Sequence, residues 1–331
     1  MDLTNCSRVT EFNLLGFPHI WGMNITLFLI VLLLYSLSLA GNGLIIVMVK
    51  IDRKLQKPMY FFLSNLSFLE LWYTTTIIPK LLASLLSSKT TICFYCCMAQ
   101  SYFYFLFGIT EFYILTVMSF DRYLAICQPL RYTTIMTSSV CLQLALVPWF
   151  GGFCTILLQT VLVVRLPFCG SNVINHFYCD ISPMLKIAGG DTQLIEALGF
   201  LIAVAVILSS LLLTVVSYIF IISTILRIPS TSGQRRAFST CASHLTVVSI
   251  LYGAVLFIYL RPSTKHSSFS LNKAVSVLNT VITPVLNPFI YTIRNNEVKE
   301  ALRKVLGRKT EGSPKLRVLV CVGKTCNVIQ C

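Results

Sequence analysis

The residues of this chain that could do chemistry are ionisable and amide groups set inside apolar runs. Glu70 lies 13 residues past Lys57, about 20 Å along a helix, and Glu111 lies 11 before Arg122, about 16 Å. Each carboxylate costs roughly 2.5–3.5 kcal/mol at mid-bilayer, so both are expected to face a bundle interior. If close, the two cannot both stay ionised unless a cation sits between them; otherwise one takes up a proton. Two separate, protonated, hydrogen-bonding glutamates are the alternative. Asn42 and Asn287 sit eight and seven residues from Lys50 and Arg294, about 10–12 Å in. A second constellation, Asp121-Arg122-Tyr123, closes a long apolar and aromatic run. Adjacent charges there read as a functional pair, or as an Arg snorkelling to headgroup phosphate. The third is Pro284-Val285-Leu286-Asn287-Pro288-Phe289-Ile290-Tyr291, whose prolines free backbone carbonyls and permit a kink. Asn287 could bond that exposed backbone, and Tyr291 lies one turn further on. His176 with Cys169, Cys179 and Asp180 fits no closed zinc spacing. No nucleophile–base pair sits where a substrate could reach, so the chain does not read as an enzyme.

These groups need helices that cross a membrane to position them. Of 331 residues 56% are hydrophobic and 11% charged, with a mean hydropathy of +0.78, against about a quarter charged in soluble domains. Apolar stretches of about 20 residues span a hydrocarbon core of roughly 30 Å. Seven are expected: Asn24–Val49, Pro58–Leu81, Cys97–Ile126, Val140–Val163, Leu194–Leu226, Ala237–Leu260 and Leu271–Ile293. The expected organisation is an amino-terminal segment 1–23, a bundle 24–293, an amphipathic surface helix 294–307 and a tail 308–331. The surface helix follows from Val298, Leu302, Val305 and Leu306 recurring at helical spacing among charges.

The net charge of +14 does not read as nucleic-acid binding. With the amino terminus outside, 18 of the 26 Lys and Arg face the cytoplasm, although without the tail the ratio is 9 to 8. The first loop, with Lys50, Arg53, Lys54 and Lys57, carries that orientation. The first 23 residues lack a cleavable signal pattern, so the first span would be its own insertion signal. Asn5-Cys6-Ser7 is a glycosylation sequon in the outward segment. Thirteen cysteines, an odd number, leave at least one thiol unpaired. Cys321, Cys326 and Cys331 could be palmitoylated beside the inner leaflet, or the tail is unmodified.

Gly41-Asn42, Pro58-Met59-Tyr60-Phe61-Phe62-Leu63-Ser64-Asn65-Leu66-Ser67, Met118 to Cys127, Ser217-Tyr218, Arg236-Ala237-Phe238-Ser239-Thr240-Cys241 and Pro284 to Tyr291 occur in that order. On these motifs the chain resembles a rhodopsin-like G-protein-coupled receptor, specifically an olfactory receptor, to about residue 307. The chain has Phe120 where the family usually has Tyr, Glu70 where it has Asp, and Gly189 where the long outer loop carries a third cysteine. The resemblance implies an all-α seven-transmembrane fold, with Cys97 paired to Cys179. Cys169 is then left without its usual partner; it could be free, or paired with Cys93, Cys96 or Cys6. A sodium ion at Glu70 and Glu111 would be an allosteric modulator, with no other cofactor.

Helical spacing puts Tyr104, Phe105, Gly108, Ile109 and Phe112 on one face of the third span. Ile202 and Val206 match that depth in the fifth, Tyr252, Val255, Leu256 and Tyr259 in the sixth, and Val277 and Thr280 in the seventh. By analogy with the family they line a pocket, apolar with a few hydroxyls and no acidic anchor, suited to a small volatile with one oxygen function. The resemblance implies a switch made of Asp121, Arg122, Tyr123, Tyr218, Asn287, Pro288 and Tyr291. Its implied partners are an odorant, membrane lipid, a stimulatory olfactory-type G protein that raises cyclic AMP, and a trafficking chaperone. The implied location is the plasma membrane of olfactory cilia. Rival readings are a non-olfactory receptor of the same fold for another small ligand, and more distantly a cation-coupled transporter or channel. The latter needs duplicated halves or a polar pore lining, which the sequence does not display.

Overall fold

The computed structural model describes residues 9–17, 21–87, 90–260, 273, 276–294, 296–307, 317–322 and 325–330. Long helices follow the apolar runs: α1 (Trp21–Ile51), α2 (Pro58–Leu86) and α3 (Phe94–Cys127), with a short α4 (Pro129–Ile135) in the next loop. Then come α5 (Ser138–Val164), a short α6 (Ile181–Leu185), α7 (Gln193–Leu226) and α8 (Thr231–Leu260). A π-helical turn, Leu278–Ile282, leads into α9 (Thr283–Arg294), and α10 (Asn296–Gly307) follows. Among the described residues four helices are long and apolar enough to cross a membrane, and α8 is a fifth when its two parts, bent by 43°, count as one. α2 has the length, 29 residues, but its Glu70 and the run Thr74-Thr75-Thr76 dilute its apolarity.

Pro58 starts α2 because its missing N–H costs nothing at a first turn. α8 begins two turns earlier than the apolar run suggests. The Ser230 hydroxyl accepts from the Gly233 amide at 3.3 Å and the Ser230 carbonyl from Gln234 at 3.0 Å, which satisfies the helix start. α3 is the central element and packs against α2, α5, α7 and α8. Gly152 brings α5 close to it: a Cβ there would meet Thr110 Oγ1 at 2.9 Å. The polarity is inverted relative to a soluble protein. Glu70, Thr74, Thr110, Ser119 and His244 are fully buried, whereas Leu208, Leu212 and Ile219 of α7 are exposed, as on a lipid-facing surface.

The amino-terminal segment does not fold alone. Its strand β1 (Glu11–Leu14) is the middle of a three-stranded sheet. It runs antiparallel to β2 (Thr91–Cys93) and parallel to β3 (Val173–Ile174). Phe12 is buried against Phe94 and Phe168, with ring centroids 5.7 and 5.3 Å away. At the opposite end α10 buries Val298 and Ala301. Lys57 holds Glu297 at 2.7 Å there. The tail contains two antiparallel strands, β4 (Arg317–Val322) and β5 (Thr325–Gln330).

Candidate functional site

Three side-chain assemblies lie along the bundle axis. In the middle, Glu70, Glu111, Asn42 and Asn287 are all buried, as expected. Their bonding corrects the sequence reading. Asn287 does not bond exposed backbone; its Nδ2 donates to Glu70 Oε1 at 2.5 Å. The carbonyl that Pro288 strips of its helical partner is Pro284 O, and α1 supplies the donors instead. Asn42 Nδ2 reaches it at 3.1 Å and Ser38 Oγ at 3.4 Å. Gly41 permits that approach, since a Cβ would lie 3.0 Å from Pro288 Cγ. Glu70 and Glu111 are near enough for their charges to interact. Glu70 Oε2, Glu111 Oε1, Asn279 Oδ1 and Asn287 Oδ1 are buried without a hydrogen-bond partner. Among the described residues no group of three or more His, Cys, Asp or Glu side chains comes together to hold a metal ion, so the two carboxyls alone would have to share a proton or hold a cation.

The second assembly is at the Arg122 end. Asp121 Oδ1 accepts from Tyr132 OH at 2.8 Å, which ties α3 to α4, and Asp121 and Arg122 make no direct ion pair with each other. Arg122 lines a cavity of about 940 Å³ with Asp121, Tyr132, Arg235, Ser239, Tyr291 and Glu297 among its walls. Arg122 Nε and Tyr291 OH are buried there without hydrogen-bond partners. Burial alone would raise the Glu297 carboxyl, but hydrogen bonds from Lys57 and Tyr60 outweigh it and hold the group below its ordinary range. Tyr123 packs on Phe220 of α7, ring centroids 5.9 Å apart, and its hydroxyl accepts from Gln128 at 3.2 Å. Tyr218 does not reach toward Arg122 for a bond. Its hydroxyl lies 2.8 Å from His244 Nδ1, and His244 Nε2 lies 3.0 Å from Leu115 O. A carbonyl only accepts, so Nε2 carries the proton and Nδ1 accepts from Tyr218. One neutral imidazole thus joins α3, α7 and α8. His244 was missed because a lone His in an apolar run carries no spacing signal.

The third assembly gathers much of the ligand-lining set. Phe112 of α3 meets Tyr252 of α8 edge to face at 5.3 Å. Tyr252 OH is buried beside Ser210, Thr214 and Thr116, with none at hydrogen-bond geometry. Ile109, Val206 and Thr280 are buried; Phe105, Gly108, Ile202, Val255 and Val277 are half-buried. Thr280 Oγ1 donates to Ser276 O at 2.7 Å, so its lone pairs remain for another donor. Tyr104 stacks on Tyr73 at 5.2 Å and tilts onto Tyr178 at 4.6 Å. Both partners were absent from the spacing-based set, because one lies on α2 and the other in a loop. Leu256 is 36% exposed and faces outward. The Tyr259 side chain lies outside the described residues. A further cavity, about 570 Å³, lies elsewhere, between α2, α3 and α5.

Above this set Cys97 is disulfide-bonded to Cys179, as the resemblance implied. Gln100 clamps the joint: its Oε1 accepts from Cys179 N at 3.0 Å and its Nε2 donates to Thr76 O at 2.9 Å. Cys93 and Cys96 are bonded to each other, which removes both as partners of Cys169, itself disulfide-bonded. Burial and the nearby Lys273 hold His176 down to about 3 from its ordinary 6.5. Burial raises Asp180 to about 6, against amide hydrogen bonds from Ser182 and Ile181 and the charge of Lys186. Asn5 lies outside the described residues.

A polar core thus lies under an aromatic cluster, with an arginine at the mouth of a cavity at the end opposite a disulfide-pinned cap. The olfactory receptor family profile matches residues 31–309. Olfactory receptor 6X1 of Homo sapiens is 60% identical over 313 residues, covering 95% of this chain and all of the relative. Olfactory receptor 6F1 of Homo sapiens is 54% identical, covering 92% and 98%. Olfactory receptor 287 of Rattus norvegicus is 53% identical over the same shares. The chain belongs to the olfactory receptor family, whose members are membrane-embedded signalling receptors of seven-transmembrane fold, not enzymes.

Proposed function

We propose that this protein is an odorant receptor that binds a small, mostly apolar volatile between α3, α7, α8 and the seventh span, and passes the change to Arg122. The observation that carries this reading is the Phe112–Tyr252 contact, which joins the candidate ligand face to the helix whose inner half lines the Arg122 cavity. Tyr104, Tyr252 or Thr280 would bond the ligand's oxygen. A ligand shifts such an equilibrium only by its differential affinity for the two states. Release of the Tyr218–His244 link lets α8 swing and widens the cavity for a stimulatory, olfactory-type G protein, which raises cyclic AMP.

The amino terminus faces outward with Asn5 glycosylated, in the plasma membrane of olfactory cilia, after export with a chaperone. The basic first loop supports that orientation. A sodium ion between Glu70 and Glu111 stabilises the resting state, and the unpartnered oxygens Glu70 Oε2 and Glu111 Oε1 support it. The testing experiment pairs an odorant panel with Arg122→Ala. The variant should reach the cell surface at the unaltered level and give no odorant-evoked cyclic AMP. A normal response would remove Arg122 from the assigned role.

A further inference from the structure

Cys93 and Cys96 form a Cys-x-x-Cys disulfide at the first turn of α3. Three observations set it apart from Cys97–Cys179. Both of its residues are exposed, whereas Cys97 and Cys179 are fully buried. It joins residues three apart, not 82, so it removes little chain entropy and can open without loosening the fold. And the amide of Cys96 donates to Cys93 Sγ at 3.0 Å, at the positive end of a 34-residue helix. A thiolate on Cys93 is therefore stabilised, which makes Cys93 the better leaving group.

Cys96, in turn, belongs to the wall of the 570 Å³ cavity between α2, α3 and α5. The remaining wall is largely aromatic: Phe68, Trp72, Phe103, Phe107 and Trp149. Phe68, Trp72 and Phe103 are exposed on the face that meets lipid. From Cys96 to Phe107 the groove runs 11 residues along α3, about 16 Å, so it descends about half the membrane. An electrophilic sulfur at the head of an apolar slot selects one chemistry.

We propose that this groove is a covalent site for small lipophilic thiols, which exchange with the Cys93–Cys96 disulfide. The thiol loses its proton to solvent and its sulfur attacks Cys96 Sγ. The Cys93–Cys96 bond breaks, a mixed disulfide forms between ligand and Cys96, and the electron pair leaves on Cys93 Sγ, where the Cys96 amide receives it. Return attack by Cys93 expels the thiol, so no oxidant or reductant is consumed. The alkyl group lies along the aromatic wall, and its burial sets the preference for lipophilic over polar thiols.

The test uses the full-length receptor in lipid nanodiscs under nitrogen, with hexane-1-thiol or cysteamine as probe. After an N-ethylmaleimide quench, peptides are mapped by mass spectrometry without reduction. Hexane-1-thiol should leave its adduct on Cys96 and maleimide on Cys93, with Cys97–Cys179 intact. Ala99→Trp, which fills the groove, should lower the hexanethiol adduct about tenfold by denying burial to roughly two methylenes. Cysteamine labelling should not change. Cys93→Ser removes the electrophile without touching the groove and should give no adduct. Adduct on Cys93, opening of Cys97–Cys179 instead, equal hexanethiol labelling in the Ala99→Trp protein, or adduct in Cys93→Ser would each overturn the proposal.

Discussion

Asn42 Nδ2 lies 3.1 Å from the carbonyl oxygen of Pro284, the acceptor that Pro288 leaves without a helical donor. The first span thereby completes the backbone of the last one. Asn42→Ala would leave that buried carbonyl only the longer bond from Ser38 Oγ at 3.4 Å, at a cost of about 0.5–1.5 kcal/mol. The expected outcome is a lower unfolding midpoint for the purified receptor, which Asn42→Asp, whose carboxylate offers the carbonyl no donor, should not restore. An unchanged midpoint in the alanine variant would deny the bond any structural weight.

Gly41 makes the same contact possible from the other side. A methyl group there would sit 3.0 and 3.1 Å from two atoms of the Pro288 ring. Overpacking of this kind costs about 1–3 kcal/mol. Gly41→Ala should therefore reduce stability, while Gly43→Ala, where nothing lies within 4 Å, should not. Equal effects at the two glycines would mean that the ring contact is unimportant.

The neutral His244 holds α3, α7 and α8 in one arrangement. Tyr218→Phe deletes one hydrogen bond, worth about 0.5–1.5 kcal/mol, and keeps the ring. If that bond favours the resting state, cyclic AMP without odorant should rise by a few-fold, up to about tenfold. Basal signalling at or below the unaltered level would place the bond in the active state instead.

His176 gives a pH dependence of defined sign. Its folded value is near 3 against an ordinary 6.5, so the folded cap excludes a proton that an opened cap would take up. Stability is full above the ordinary value and declines as pH falls from 6.5 toward 3. Asp180, held near 6 in the folded cap, acts in the opposite sense over part of that interval. The His176 contribution is therefore read as the midpoint drop of the unaltered receptor relative to His176→Phe. In His176→Phe, whose ring can still pack on Phe177 and Tyr178, the slope should flatten. A slope identical in the two proteins would assign the acid sensitivity to other groups.

The spans were legible because burial in lipid demands about 20 apolar residues whatever the neighbours are. Expected and observed bounds differ by a few residues at most ends, for example Val140–Val163 against α5. Depth was legible too: counting from Arg122 and Lys57 put Glu111 and Glu70 inside the bundle. Partner identity was not. Periodicity gives the face on which Asn287 lies but cannot say that Glu70 is nearer than the backbone. Tyr73 and Tyr178 reach Tyr104 from elements the helical count did not cover. The four residues of β1 pair with strands about 80 and 160 positions away, which no local pattern announces. Cys93 and Cys96 entered the sequence reading as partners open to Cys169, and their bond to each other was not anticipated.

The central claim is that helix rearrangement, not passage of solute, carries the signal across the membrane. The most direct measurement reconstitutes the purified receptor in liposomes with a stimulatory G protein and an odorant active in cells. Guanine-nucleotide exchange and ion flux are then read on the same preparation. The account predicts odorant-stimulated exchange that Arg122→Ala abolishes, with flux no greater than in empty liposomes. Solute passage that odorant gates, without any exchange, would contradict it.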